Sequence, residues 1–296
     1  SVLSLSLPLI LSKNYLLLLG IFNMQLRKVV FPVAGHGSRF LPATKATPKE
    51  MLPVGDRPAI QWIVEEALDA GANEVIIITS PDKPSLQAHV TPDPVWQTRL
   101  RAHPGARAAL ARLDAISATV RFVFQTEQRG LGHAVAQAGP FVRTAAEPVL
   151  ILLGDALVQG SAPCSHELVA RSRANGGASI IGLERVPPEN VSRYGIAAVE
   201  PTSDGRFYRV TDLVEKPDAA TAPSDLAIAG RYLLDPRIFD FLAHEQIGYG
   251  GEIQLTDAIR QLLPLAPVYG YRYPGERFDI GNPRGYQSAV AAYGKS

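Results

Sequence analysis

Lys28-Val29-Val30-Phe31-Pro32-Val33 runs without a break into Ala34-Gly35-His36-Gly37-Ser38-Arg39. A short apolar run rich in β-branched residues predicts a strand buried on both faces, as parallel sheets use. Glycines just beyond it let the backbone approach a ligand, and successive N–H groups there can cradle phosphate oxygens. The same texture recurs in Glu74–Thr79 (EVIIIT), Val120–Phe124 (VRFVF), Pro148–Leu153 (PVLILL) and Ala178–Leu183. Between the first two runs, Ile60, Ile63, Val64, Ala67 and Leu68 repeat at helical spacing, and Gly71 stands where a helix C-cap belongs. Strand–helix–strand units with right-handed crossovers predict an α/β fold: a doubly wound, mostly parallel, Rossmann-like mixed sheet.

After Pro187-Pro188 the texture changes. Tyr194–Glu200, Phe207–Val214 and Leu226–Leu234 are strand-like, with turns at Thr202–Gly205 and Pro223–Asp225. They predict an antiparallel or mixed, β-rich extension that folds over a ligand. Pro236–Ala243, Leu255–Leu263 and Pro283–Tyr293 read as helices, and Val268–Tyr273 and Arg277–Ile280 as late strands. No repeat or low-complexity linker interrupts this, so the expectation is one domain over residues 24–296. It divides at about 185 into a part over about 24–185 and a lid-like part with the C-terminus over about 186–296. Residues 1–23 are expected to stand outside the fold. Their apolar runs, Val2–Leu11 and Tyr15–Phe22, are split by Lys13 and Asn14, and neither reaches the roughly 20 residues a membrane span needs. Met24 is read as the natural start, with an amphipathic or membrane anchor as the lesser reading.

Among 296 residues, 29 basic side chains face 28 acidic ones, which excludes a basic nucleic-acid coat and an acidic solvating tail. One cysteine, Cys164, in a loop-like stretch, excludes an internal disulfide and a CxxC metal site. The expectation is a reducing, cytoplasmic compartment.

The glycine loop lacks the marks of the familiar nucleotide loops. A dinucleotide fingerprint needs glycine at position 40, where Phe40 stands, and an acid after the second strand, where Thr79-Ser80 stand. A P-loop needs Gly-Lys-Ser/Thr, which does not occur. Arg39 and, ten residues on, Lys49 follow instead, on a loop stiffened by Pro42, Pro48 and Pro53. Arginine grips phosphate bidentately and lysine adds a point charge, so this loop suits a polyphosphate; a solvated basic loop has the same residues.

Asp155 ends the run Val149–Gly154, at the strand tip where open α/β sheets bind ligands. Beside phosphates such a carboxylate suits Mg²⁺, which needs only one or two; a helix N-cap is the other reading. Asp279, in Phe278-Asp279-Ile280-Gly281, is a second acid of this kind. Glu215-Lys216-Pro217 closes an apolar strand, where Glu could accept from sugar hydroxyls and Lys meet a phosphate, or the two could form an exposed ion pair. Gln125 ends a strand ahead of Gly130 and Gly132, and its amide offers the donor and acceptor that a nucleobase edge requires, a surface glutamine in a turn being the other reading. His133 reads as packing at a helix start.

The stretch FPVAGHGSRFLPATKATPKEMLPVGDRPAIQWIVEEALDAG closely resembles the N-terminal signature of bacterial UTP–glucose-1-phosphate uridylyltransferases, a family of nucleotide-sugar pyrophosphorylases. The resemblance continues through QTEQRGLGHAV, VEKP, AGRYLL, GGEIQLTDAI and RFDIG, in order, from about Lys28 to Tyr293. It implies that Ala34, Gly35, Gly37, Glu50, Gln125 and Gly130 bind the nucleotide and that Arg39, Lys49 and Lys216 are catalytic. It implies that Glu215, Gly195, Gly230 and Glu252 bind the sugar, with Gly251, Ile253 and Arg231 also lining its pocket. Asp155 and Asp279 would hold Mg²⁺. UTP and glucose 1-phosphate would be the substrates, and the assembly a dimer or tetramer. The family's usual Pro-Asp-Asp is Gly154-Asp155-Ala156 here, so a second acid beside the metal ligand is missing. A sister enzyme taking dTTP or ATP, and a non-catalytic regulatory paralogue, are the competing readings.

Overall fold

Alternation in β1 (Lys28–Pro32) sends Val29 and Phe31 to one face and Val30 to the other, and all three are fully buried. The strand therefore needs cover on both sides, and the chain supplies two apolar layers. Val29 and Phe31 pack with Ile60, Ile63 and Val64 of the helix Ala59–Asp69 and with Leu168 of the helix Cys164–Ala174. Val30 packs with Val135 of the helix Leu131–Ala136, with Phe239 of Ile238–Leu242 and with Ile259 of Leu255–Leu262. Each such aliphatic side chain contributes about 1.5–3 kcal/mol on burial. The computed structural model describes residues 26, 28–143, 145 and 147–294. Met24 and the runs Val2–Leu11 and Tyr15–Phe22 lie outside these.

Eight further strands join β1 in one sheet: β4 (Glu74–Thr79), β5 (Val120–Phe124), β6 (Val149–Leu152), β8 (Ser179–Arg185), β9 (Gly195–Pro201), β10 (Phe207–Glu215), β11 (Leu226–Leu234) and β12 (Val268–Arg272). Two short ribbons pair β2 (Pro53–Val54) with β3 (Arg57–Pro58) and β7 (Ala156–Gly160) with β13 (Gly275–Asp279). The large sheet runs β5-β4-β1-β6-β11-β8-β12-β10-β9. Its first four strands are parallel, as expected, but β5 does not have the expected burial on both faces: it is the edge strand, broken by Arg121, and none of its five residues is fully buried. The expected mostly parallel character stops there. β11 is antiparallel to both β6 and β8, and β10 is antiparallel to both β12 and β9, so half of the neighbouring pairs are antiparallel. Two of these pairs come from β11, whose nine residues are all buried and which inserts at the sheet's centre, and the other two from β10. Of the three strands expected in an antiparallel or mixed extension, β9 and β10 pair antiparallel at the sheet's end, whereas β11 stands between β6 and β8. Gly71, at φ +97°, follows the helix Ala59–Asp69 as expected.

The sequence reading left several elements unassigned: β7 and the helices Pro84–Val90, Pro94–Leu100, Arg107–Ser117 and Cys164–Ala174. Cys164 thus opens a helix, fully buried, and burial pushes its thiol far above the ordinary range. No helix among the described residues is long and apolar enough to cross a membrane.

Candidate active site

One cavity opens at the C-terminal tips of β1 and β6, and a second lies on the far side of Asp155 and Asp279. The first, about 320 Å³, is lined by Ala34, Gly35, Lys49, Glu50, Gln125, Gly130, Asp155 and Glu252, among others. The second, about 580 Å³, is lined by Arg39, Arg193, Lys216 and Arg284 against Asp279. Of the expected nucleotide residues, Ala34, Gly35, Glu50, Gln125 and Gly130 gather in one space and Gly37 does not line it, while two of the expected cations lie in the next. Glu252, expected at the sugar, lines the first cavity.

Asp155 and Asp279 join the two. β13 pairs with β7 so that Asp279 faces Ala156, and the Ile280 N–H donates to the Asp155 carbonyl at 2.8 Å. A Cβ built on Gly281 would lie 2.9 Å from Asp279 Oδ1 and 3.0 Å from Asp155 Oδ2. Glycine keeps that space open, flanked by two hard oxygen donors, which fits a small divalent cation that completes its shell with phosphate oxygens and water. Two carboxylates suffice for such a site, and no group of three or more acidic, histidine or cysteine ligands occurs among the described residues. Lys49 Nζ donates to Asp155 Oδ2 at 2.8 Å. Burial disfavours the charge on Asp155, but the Lys49 ammonium outweighs it and holds the carboxyl below its usual range. Burial likewise works against Lys49, and Asp155, Glu50 and Asp279 together raise it.

Under the glycine loop lies a buried ion pair. Lys83, from the turn after β4, donates to Glu50 Oε2 at 3.0 Å and to the Val33 carbonyl at 2.6 Å, with side chains 5% and 1% exposed. Burial raises the Glu50 carboxyl above its ordinary value, and Lys83 and Lys49 draw it back. Gly37, at φ +67°, turns the loop into the 3₁₀ turn Ser38–Phe40 that presents Arg39. Gln128 Nε2 donates to the Ala34 carbonyl at 2.6 Å from the opposite wall.

Gly130 serves a need that the flat approach of a base does not cover. A Cβ there, at φ +108°, would lie 2.7 Å from both Glu252 Cβ and the Ile253 carbonyl oxygen. The Ile253 N–H donates to the Arg129 carbonyl at 2.8 Å, so this glycine lets the Glu252 segment close on the first cavity.

β10 ends at Glu215, as Pro217 suggested, and Lys216 takes the left-handed conformation at φ +47°. That turn brings Lys216 to the second cavity. Glu215 stays behind it, accepting from Thr256 Oγ1 at 2.6 Å, and Gly195 abuts the same two side chains. Gly230, at φ +75°, packs over Ala156. Arg231 does not line a sugar pocket: its side chain is fully buried, pairs with Glu66 at 2.8 Å and donates to the Ala156 carbonyl at 2.8 Å. β-strand alternation sends it to the opposite face from the position a pocket residue requires.

Arg193, Arg284, Lys83 and Arg277 escaped the sequence reading. Arg193 Nη2 lies 3.5 Å from Asp279 Oδ2, and Arg277 Nε donates to Glu184 Oε1 at 2.5 Å. A cation two residues before Gly195 and another four residues after the second buried strand were the available signals.

Residues 28–296 match the nucleotidyl transferase family. The UTP–glucose-1-phosphate uridylyltransferase of Bacillus subtilis (strain 168) is 44% identical over 265 residues, 88% of this chain and 89% of that protein. Its counterpart from Staphylococcus haemolyticus (strain JCSC1435) is 42% identical over 272 residues, 91% and 92% of the two chains. A solved UDP-glucose pyrophosphorylase complexed with UDP-glucose superposes with a TM-score of 0.82 at 36% identity, covering 92% of this chain and 99% of that one. The UTP-bound enzyme from Acinetobacter baumannii gives 0.81 at 36% identity, with 91% and 94% covered. Matched in sequence and in fold along nearly its whole length, the chain belongs to the UTP–glucose-1-phosphate uridylyltransferase family of nucleotidyl transferases.

Proposed function

We propose that the chain joins UTP and glucose 1-phosphate into UDP-glucose and pyrophosphate at the junction of its two cavities. A phosphate oxygen of glucose 1-phosphate attacks the α-phosphorus of UTP in line. The bond from that phosphorus to the β-bridging oxygen breaks, and pyrophosphate leaves with the electron pair. The nucleophile is already an anion, so no side chain need take a proton, and catalysis is positioning plus charge neutralisation. The observation that carries this is the two-carboxylate junction between a base-sized cavity and a cavity ringed by cations.

Ala34, Gly35, Gly37, Glu50, Gln125 and Gly130 bind the nucleotide, Arg39 and Lys49 neutralise the departing pyrophosphate, and Lys216 orients the attacking phosphate. Glu215, Gly195, Gly230 and Glu252 shape the sugar side. Asp155 and Asp279 would hold Mg²⁺, which when bound supplies charge neutralisation on the phosphate oxygens. Buried partners keep these groups in place: Lys83 under Glu50, Arg231 behind Ala156, and Thr256 on Glu215. The continuity of the sheet through β11 supports residues 24–296 working as one domain. A cytoplasmic homo-oligomer is the setting that accompanies this reading.

The test is incubation of the purified chain with UTP and glucose 1-phosphate, with Mg²⁺ or with excess chelator, followed for both products. UDP-glucose and pyrophosphate in equal amounts, only with Mg²⁺, are expected. Turnover with dTTP or ATP in place of UTP would reassign the nucleotide, and no product from any of them would favour a non-catalytic binder.

A further inference from the structure

Gln125 lines the first cavity with an amide, and an amide can present either its oxygen or its nitrogen without changing shape. Which end faces the base decides which base is accepted. Gln125 is 4% exposed, so a protein neighbour rather than solvent makes that choice. The neighbour is His133, from the helix Leu131–Ala136, which is itself buried and stands behind Gln125 rather than in the cavity lining. Its Nδ1 lies 2.8 Å from Gln125 Nε2.

A neutral imidazole accepts at one nitrogen and donates at the other. The second ring nitrogen, Nε2, lies 3.2 Å from the amide nitrogen of Gln137, which also donates to the His133 carbonyl at 3.2 Å. The ring cannot accept from both amides. Gln137 is half-buried and has the carbonyl and solvent to satisfy it, whereas Gln125 depends on the ring. The structure sets the Gln125 amide nitrogen, not its oxygen, on Nδ1, so Nδ1 accepts there and Nε2 carries the hydrogen. Gln125 Oε1 is left to face the cavity.

We infer that His133 is a positioning residue that sets nucleobase selectivity by holding the acceptor end of Gln125 toward the base. An acceptor there pairs with the N3–H of uracil. Cytosine has a lone pair at N3, which an amide oxygen repels, so CTP is rejected. Thymine shares the N3–H, so dTTP is not discriminated by this device. The inference rests on the uridylyltransferase reading and deepens it.

The experiment measures kcat/KM for UTP and for CTP, each with glucose 1-phosphate, in the full chain and in His133→Phe, His133→Asn and Gln125→Leu. Phenylalanine fills the ring's volume without an acceptor, and the Asn side-chain oxygen stands close to the place of Nδ1. The UTP-to-CTP ratio is expected to fall at least about tenfold in His133→Phe and to recover in His133→Asn. Loss of packing alone lowers both rates together and keeps the ratio, and that result overturns the inference. Should the Phe variant fail to fold, His133→Gln, whose amide reaches toward the Nε2 position, serves the same comparison with the same expected fall. Gln125→Leu separates the two levels. A collapsed ratio there with an unchanged ratio in His133→Phe refutes the role of His133 alone, while an unchanged ratio in Gln125→Leu refutes base reading by Gln125 and the inference with it.

Discussion

Replacing Lys83 by Met keeps the aliphatic stem but removes the ammonium that sits on Glu50 Oε2 at 3.0 Å and on the Val33 carbonyl at 2.6 Å. Both side chains are at least 95% buried, so the Glu50 carboxylate left behind has little solvent to turn to. Removing one partner of a buried pair typically destabilises by about 3–5 kcal/mol, far more than the pair contributes as a unit. The double variant Lys83→Met with Glu50→Gln should therefore be more stable than Lys83→Met alone. The deficit should also depend on pH. Burial already holds the Glu50 carboxyl above its ordinary value near 4.5, and loss of Lys83 pushes it higher. A folded-state value above the unfolded one means that the folded chain retains the proton over that interval, so stability falls as pH rises through it. The deficit of Lys83→Met should be larger at about pH 8 than at about pH 5. Urea unfolding of wild type, both single variants and the double variant at the two pH values reads this directly. A Lys83→Met variant within about 1 kcal/mol of wild type at the higher pH, or a deficit that ignores pH, would refute the reasoning.

Lys49→Ala and Lys216→Ala should each lower kcat by about 10²–10³ with circular dichroism unchanged, since each removes one fixed cation from developing phosphate charge; wild-type turnover in steady-state assays would remove that residue from the chemistry. Gly130→Ala places a Cβ 2.7 Å from Glu252 Cβ and the Ile253 carbonyl at a positive φ. It should destabilise the fold by about 1–3 kcal/mol and raise the KM for UTP, as thermal unfolding and initial-rate measurements would reveal.

The strands were legible wherever burial on both faces imposes a continuous apolar run. Glu74–Thr79 and Leu226–Leu234 have the expected bounds, and so does Val120–Phe124, although that edge strand has no fully buried residue and its apolar residues marked the strand without the double burial. Direction was not legible for β11, because a fully buried strand looks the same whether its neighbours run parallel or antiparallel. β7 left no local signal, since Ala156–Gly160 pairs only with β13, more than a hundred residues away. In the site, the glycine loop and its cations carry their chemistry in residue type and spacing. Arg231 followed Gly230 into the expected sugar pocket only because adjacency in sequence says nothing of which face a side chain takes. Lys83 and His133 act through Glu50 and Gln125, and such partnerships exist only once the chain has folded.

Central to all of this is the proposal that Asp155 and Asp279 share a cation site between the two cavities. Titration of Mn²⁺, followed by electron paramagnetic resonance in the presence of UTP, reads that site without turnover. Wild type should bind one ion, and Asp155→Asn and Asp279→Asn should each weaken binding by at least about tenfold. Affinity unchanged in both variants would contradict it.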